Sequence, residues 1–176
     1  MNMKKKTLSS LNRNNIMPRY IFLDIDGVLN NRRTHTISPY GCKGVSKKNI
    51  DVLKEIINKT KGQIVLISDW RLSFLPNDHM PKMAVYITKK MHEAGLEFML
   101  VSENRQYENR AKEIIRWLNE HPEEGYIIID DEEYHYREEP LRLHLVHIKE
   151  NKGLTSRNVP EAIEKMSLPI TLIKQY

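Results

Sequence analysis

The sequence predicts a three-layer α/β/α domain on a mainly parallel sheet, and three observations predict it. Short apolar runs alternate with stretches of helical periodicity from residue 20 to residue 166. The β-α-β-α order of those segments is that of a parallel sheet covered by helices on both faces. Acidic or hydroxylic residues stand where several apolar runs end, the edge of such a sheet at which ligands gather.

The elements follow in order. Residues 20–25 (YIFLDI) form the first expected strand, bounded by Pro18 and Gly27. Ser46 is placed to cap a helix reaching residue 60, with Ile50, Leu53, Ile56 and Ile57 on one face. Residues 63–67 (QIVLI), entered through Gly62, are the second strand. A looser stretch, 71–81, leads to a helix over 82–94 that Gly95 closes as its C′ residue. Residues 96–101 (LEFMLV) make the third strand. A helix over 107–120 turns Ala111, Ile114, Ile115 and Leu118 inward and stops before Pro122. Residues 125–129 (GYIII) and 143–148 supply the fourth and fifth strands, and 156–166 the last helix.

With 176 residues the chain has the length of one domain. Its net charge of +5 resides in residues 1–19, where Lys4, Lys5, Lys6, Arg13 and Arg19 meet no acid, so the remainder is formally neutral. Residues 1–18 are expected to be a basic, disordered tail and residues 19–176 a single catalytic domain. The tail has no apolar h-region, and no stretch reaches the roughly 18 apolar residues of a membrane span. With Cys42 as the sole cysteine, no internal disulfide can form, and a cytoplasmic protein is expected. Cys42 reads as a bystander thiol.

Chemistry concentrates at the strand ends. After the first strand stands Asp24-Ile25-Asp26-Gly27, where period-two spacing puts both carboxylates on one side. Such a pair repels itself unless a cation or a proton intervenes, and hard oxygen ligands suit Mg²⁺. Ser68-Asp69-Trp70-Arg71 follows the second strand; Ser68 can donate to a phosphoryl oxygen and Arg71 can add positive charge. Asp130-Asp131 follows the fourth strand, where the first acid after a buried run is a natural metal ligand.

These residues resemble the motifs of the haloacid dehalogenase (HAD) superfamily of phosphohydrolases. The counterparts are DIDG at residues 24–27, Ser68, a basic residue near Lys112, and Asp130-Asp131. Residues 112–118 (KEIIRWL) and 145–155 (LVHIKENKGLT) are similar to segments of HAD domains from RNA-repair and polynucleotide 3′-phosphatase proteins. The resemblance spans about residues 19–166 and implies a Rossmann-like fold and an Mg²⁺-dependent phosphatase. It implies Asp24 as nucleophile forming an aspartyl-phosphate, and Asp26 as general acid/base. Mg²⁺ would be held by Asp24, the Asp26 backbone carbonyl and Asp130, with Asp131 supporting that shell. Ser68 would bind the transferring group and Lys112 offset charge, with Arg110 competing for that role. Asp69 departs from the pattern, where a small neutral residue is usual; its charge calls for compensation by Arg71 or Mg²⁺.

Only 41 residues separate Asp26 from Ser68, and 43 separate Ser68 from Lys112. A helix and a strand consume most of each interval, so a minimal cap or none is expected, confined to residues 30–45. An open site suits a bulky phosphomonoester such as a nucleic-acid end or a nucleotide. Arg32, Arg33, Lys43, Lys47 and Lys48 are the cations expected on its rim. The competing readings are a catalytically idle HAD-fold binding module, a small-metabolite phosphatase, and a receiver-like phospho-acceptor. The last would place its paired acids and its acceptor on different strands. His135, His144 and His147 match no zinc spacing and read as surface or edge residues. Trp70 and Trp117 read as packing residues, Trp70 with some claim to base stacking.

Overall fold

The structure, a computed structural model, describes residues 17–74, 80–97, 100–101, 109–137 and 140–170. Of the expected tail, only Met17 and Pro18 fall within these, and residues 98–99 and 107–108 of the expected third strand and following helix also lie outside them.

Five parallel strands lie in the order β3-β2-β1-β4-β5. They are β1 (Arg19–Leu23), β2 (Gln63–Leu66), β3 (Leu100–Val101), β4 (Gly125–Asp130) and β5 (Leu145–His147). The helices are α1 (Lys47–Thr60), α2 (Pro81–Glu93), α3 (Arg110–Glu120), α4 (Leu141–His144) and α5 (Asn158–Met166), with 3-10 helices at Asp69–Phe74 and Glu133–Tyr136. From β1 the chain moves outward to β2 and β3, then returns to β4 on the other side of β1. The strand order therefore reverses between β1 and β4, the kind of switch point at which open parallel sheets form their crevice.

Alternation along the strands divides the core between two faces. Ile21, Leu23, Ile64, Leu66, Ile127 and Ile129 cluster with apolar residues of α1, α2 and α5. Tyr20, Phe22, Val65, Ile67, Tyr126 and Ile128 cluster with Ile114 and Trp117 of α3 and with Leu141 of α4. Each fully buried aliphatic side chain is worth about 1.5–3 kcal/mol of transfer free energy, so both layers hold the sheet. Gly95 closes α2 as the sequence indicates. Its φ of 71° and the bonds Gly95 N–H to His92 O (2.8 Å) and Leu96 N–H to Met91 O (2.9 Å) make a Schellman motif.

Three segments differ from expectation. The stretch after β2 is a 3-10 helix over Asp69–Phe74, closed by Ser73 Oγ donating to Trp70 O at 2.7 Å. β5 starts two residues late because the chain after Pro140 makes the helical turn α4. That turn buries His144, expected among surface or edge residues, with its ring stacked on Tyr126 and its Nδ1 2.9 Å from Tyr126 O. α3 starts at Arg110, capped by Asn109 Oδ1 accepting from Lys112 N–H at 2.9 Å.

Candidate active site

β1 delivers Asp24 to the switch point. Leu23 pairs with Leu66 on one side and Ile129 on the other, and Asp24 N–H donates to Ile129 O at 3.0 Å. The register brings Asp24, Ser68 and Asp130 to one edge of the sheet. Asp24 is 2% exposed and Asp130 fully buried.

The chain then turns. Leu29 N–H donates to Ile25 O at 2.8 Å, Gly27 N–H donates to Asn30 Oδ1 at 3.0 Å, and Gly27 takes φ 74°. A Cβ at position 27 would lie far inside van der Waals contact with Asp131 Oδ2. Glycine is required there for its left-handed backbone and for the close approach of Asp131. Because β1 ends at Leu23, strand alternation does not extend to Asp26, which lies exposed on the turn. Two donors hold it: Asn30 Nδ2 to Oδ1 at 2.7 Å and Trp70 Nε1 to Oδ2 at 2.9 Å.

Of the two basic candidates on α3, Arg110 is the one that reaches the acids. Its Nη2 lies 3.2 Å from Asp24 Oδ1 and its Nη1 donates to Asp130 Oδ2 at 2.9 Å. Lys112 is exposed and forms no ion pair with a described residue. Two residues on a helix differ by about 200° around the axis, so only one of the two can face the sheet edge. The structure therefore places Arg110 against the acids, and Lys112, expected first for that position, on the exposed side of α3. Arg71, expected to bind substrate, is instead buried. Its Nη1 donates to Ile67 O at 2.7 Å and lies 3.4 Å from Asp69 Oδ1, and its Nε lies 3.2 Å from Glu113 Oε1 of α3. It contacts Asp69 and ties the turn after β2 to α3. Ser68 is buried, its Oγ accepting from Trp70 N–H at 3.4 Å.

Burial, then the charge of Asp130, raises the Asp24 pKa to about 8; Arg110 opposes that rise, and Asp26 and Asp131 add to it. Burial and Asp130 likewise raise Asp131 to about 6. Carboxylate oxygens of Asp24, Asp130 and Asp131 lie within 4.8 Å of one another, the one such cluster among the described residues. Asp24 Oδ1 is buried with no hydrogen-bond donor, its contact with Arg110 being an ion pair without hydrogen-bond alignment. Asp130 accepts from Arg110 and from Tyr136 OH (2.7 Å) at Oδ2 and from Glu132 N–H (2.9 Å) at Oδ1. Three of its roughly four lone-pair positions are filled, leaving one on Oδ1. An orphaned carboxylate oxygen, a free lone pair and three hard oxygen donors fit a small divalent cation such as Mg²⁺.

Asn30 and Tyr136 contact the acids although the sequence did not single them out, and Trp70, read as a packing residue, donates to Asp26. Asn30 lies four residues beyond Asp26, within reach of one turn, and Trp70 lies beside the second motif. Tyr136 carries no local signal, since a 3-10 helix folds it back onto Asp130. The histidines engage separate partners: His135 Nε2 lies 3.0 Å from Glu132 Oε2, and His147 Nε2 lies 3.0 Å from Asp131 O. Between Asn30 and Ser46 the chain forms a loop with one antiparallel bridge, Ile37 to Lys43, fastened to α2 by Val45 N–H donating to Tyr86 OH at 3.1 Å. No helix of the described residues is long and apolar enough to cross a membrane.

A search of curated proteins finds no match to this chain. The family model for the HAD domain in Swiss Army Knife RNA repair proteins matches residues 20–159, which takes in Asp24, Asp26, Ser68, Arg110, Asp130 and Asp131. With its strand order, its DIDG turn and its Arg110-bridged acids, the chain belongs to the family of HAD domains found in Swiss Army Knife RNA repair proteins.

Proposed function

We propose that this HAD-type domain is a phosphatase that removes a terminal phosphate from a nucleic-acid end through an aspartyl-phosphate on Asp24. The observation that carries the reading is Arg110 spanning Asp24 and Asp130 at the reversal of strand order. A buried carboxylate there faces a fixed cation, while a second carboxylate, Asp26, remains exposed with both oxygens held.

In the first half-reaction Asp24 attacks phosphorus; the Asp24–phosphorus bond forms and the phosphorus–oxygen bond to the leaving group breaks. Asp26, entering protonated, gives its proton to the departing oxygen. In the second, Asp26 takes a proton from water as that water attacks phosphorus, which restores Asp24 and frees inorganic phosphate. Ser68 and Arg110 hold the phosphoryl oxygens through both steps. Mg²⁺ bound by Asp24, Asp130 and Asp131, with the Asp26 carbonyl, would supply the charge that keeps Asp24 ionised and neutralises the phosphoryl group.

The family's occurrence in RNA repair proteins supports a phosphorylated nucleic-acid end as substrate, and the open loop over residues 30–45 suits one. The test is phosphate release from an aryl phosphate and from 3′- and 5′-phosphorylated oligonucleotides, with Mg²⁺ and with EDTA. Activity that EDTA and Asp24→Asn both abolish is expected; full activity of Asp24→Asn rules out the nucleophile.

A further inference from the structure

At the start of α1 lies a cleft of about 580 Å³, lined among others by Asn31, Arg33, Lys47, Lys48, Asn49 and Lys152. Its twelve lining residues include four Lys or Arg, His35 and no acid. Beyond residue 19 basic and acidic residues balance, so the cleft is a local segregation of charge. A second cleft, near β5, mixes Glu133 and Glu161 with Arg137, Arg142 and Lys165.

The rim cations expected from sequence divide once partners are considered. Arg32 pairs with Glu150 at 3.2 Å and Lys47 with Asp51 at 2.7 Å. Lys43 lies in the bridge to Ile37 and outside the cleft. Arg33, Lys48 and Lys152 are exposed and form no ion pair with a described residue.

The cleft floor, by contrast, is already satisfied. Asn49 Nδ2 donates to Val28 O at 2.9 Å, Asn31 Nδ2 to Lys152 O at 3.1 Å, and Leu154 N–H to Val28 O at 2.9 Å. Gly153, at φ 66°, leaves room for the Asn49 and Asn31 amides where a Cβ would be. A small-molecule site needs convergent unspent polar groups; a fixed floor under free cations instead suits a repeating anion read by charge. One lining residue, Asn31, directly follows Asn30, whose amide holds Asp26.

We infer that Arg33, Lys48 and Lys152 bind the phosphodiester backbone of a single-stranded nucleic acid whose end reaches Asp24. The direction of the strand in the site rests on the function proposed above; the binding surface does not.

The experiment uses the full chain and its Arg33→Gln/Lys48→Gln/Lys152→Gln variant. It measures binding of a fluorescent, unphosphorylated oligonucleotide of about six nucleotides across a salt series. Residues 1–16 are common to both proteins and cancel in the comparison. At low salt the variant is expected to bind at least about tenfold more weakly, with the slope of log K against log salt flatter by about 2 for three lost contacts. The melting temperature should be unchanged, and an Arg33→Lys/Lys48→Arg/Lys152→Arg protein should bind like wild type. Equal oligonucleotide binding by wild type and the glutamine variant overturns the cleft, as does binding to phosphatidylserine vesicles with none to the oligonucleotide. Aryl phosphate turnover is read separately. A wild type that releases no phosphate, yet loses oligonucleotide binding in the variant, ends the phosphatase reading and leaves the cleft standing.

Discussion

Trp70 donates its indole N–H to the Asp26 carboxylate across 2.9 Å, while Asn30 donates to the other oxygen at 2.7 Å. An exposed carboxylate with a free χ1 would sample several rotamers; these two donors leave one. Trp70→Phe keeps an aromatic ring, though a smaller one, and removes the donor. Turnover is expected to fall about tenfold for alkyl phosphates and much less for aryl phosphates, whose leaving groups need little protonation. Equal losses for both classes would show that Trp70 only supports the local packing.

Arg110, and not Lys112, faces Asp24. Arg110→Met should lower kcat/KM for an aryl phosphate by about two to three orders of magnitude, the range for loss of a preorganised charge. Lys112→Met should change it less than about threefold. The opposite ranking in steady-state kinetics would return the third-motif role to Lys112.

Asp24 should make the stability of the metal-free protein depend on pH. Its folded pKa, about 8, exceeds the unfolded value of 3.8, so its contribution to stability is fully present below about pH 4 and is lost as pH rises through 8. In EDTA, wild type should melt lower at pH 8 than at pH 6, and Asp24→Asn should melt higher than wild type at pH 8. Adding Mg²⁺ should raise the wild-type melting temperature at pH 8 and reduce that difference. A pH-independent difference between the two proteins in EDTA would refute the buried-charge explanation.

The Arg71–Glu113 ion pair joins the second-motif turn to α3, with side chains 5% and 2% exposed. Removing one member of a buried pair costs about 3–5 kcal/mol. Arg71→Met should therefore lower the denaturation midpoint markedly, while the KM for aryl phosphate changes by less than about threefold. A large rise in KM at unchanged stability would place Arg71 on the substrate.

The sequence by itself determined the sheet. Continuous apolar runs such as residues 20–23 and 126–129 have no soluble alternative to burial on two faces, and the residues ending them fall at one edge. Asp24, Ser68 and Asp130 were legible for that reason. The mutual choice of side chains was not. Arg110 and Lys112 differ by two positions on one helix, and only the rotation of α3 against the sheet decides which meets Asp24. Arg71 pairs with Glu113, 42 positions away, a contact that no local pattern announces. Trp70 and Tyr136 reach Asp26 and Asp130 only because 3-10 turns fold them back. Lys152 joins Arg33 and Lys48 only because the loop after β5 packs on the start of α1. Strand burial is a local property of composition, readable along the chain; the pairing of charges depends on contacts between distant segments, which only the tertiary structure fixes.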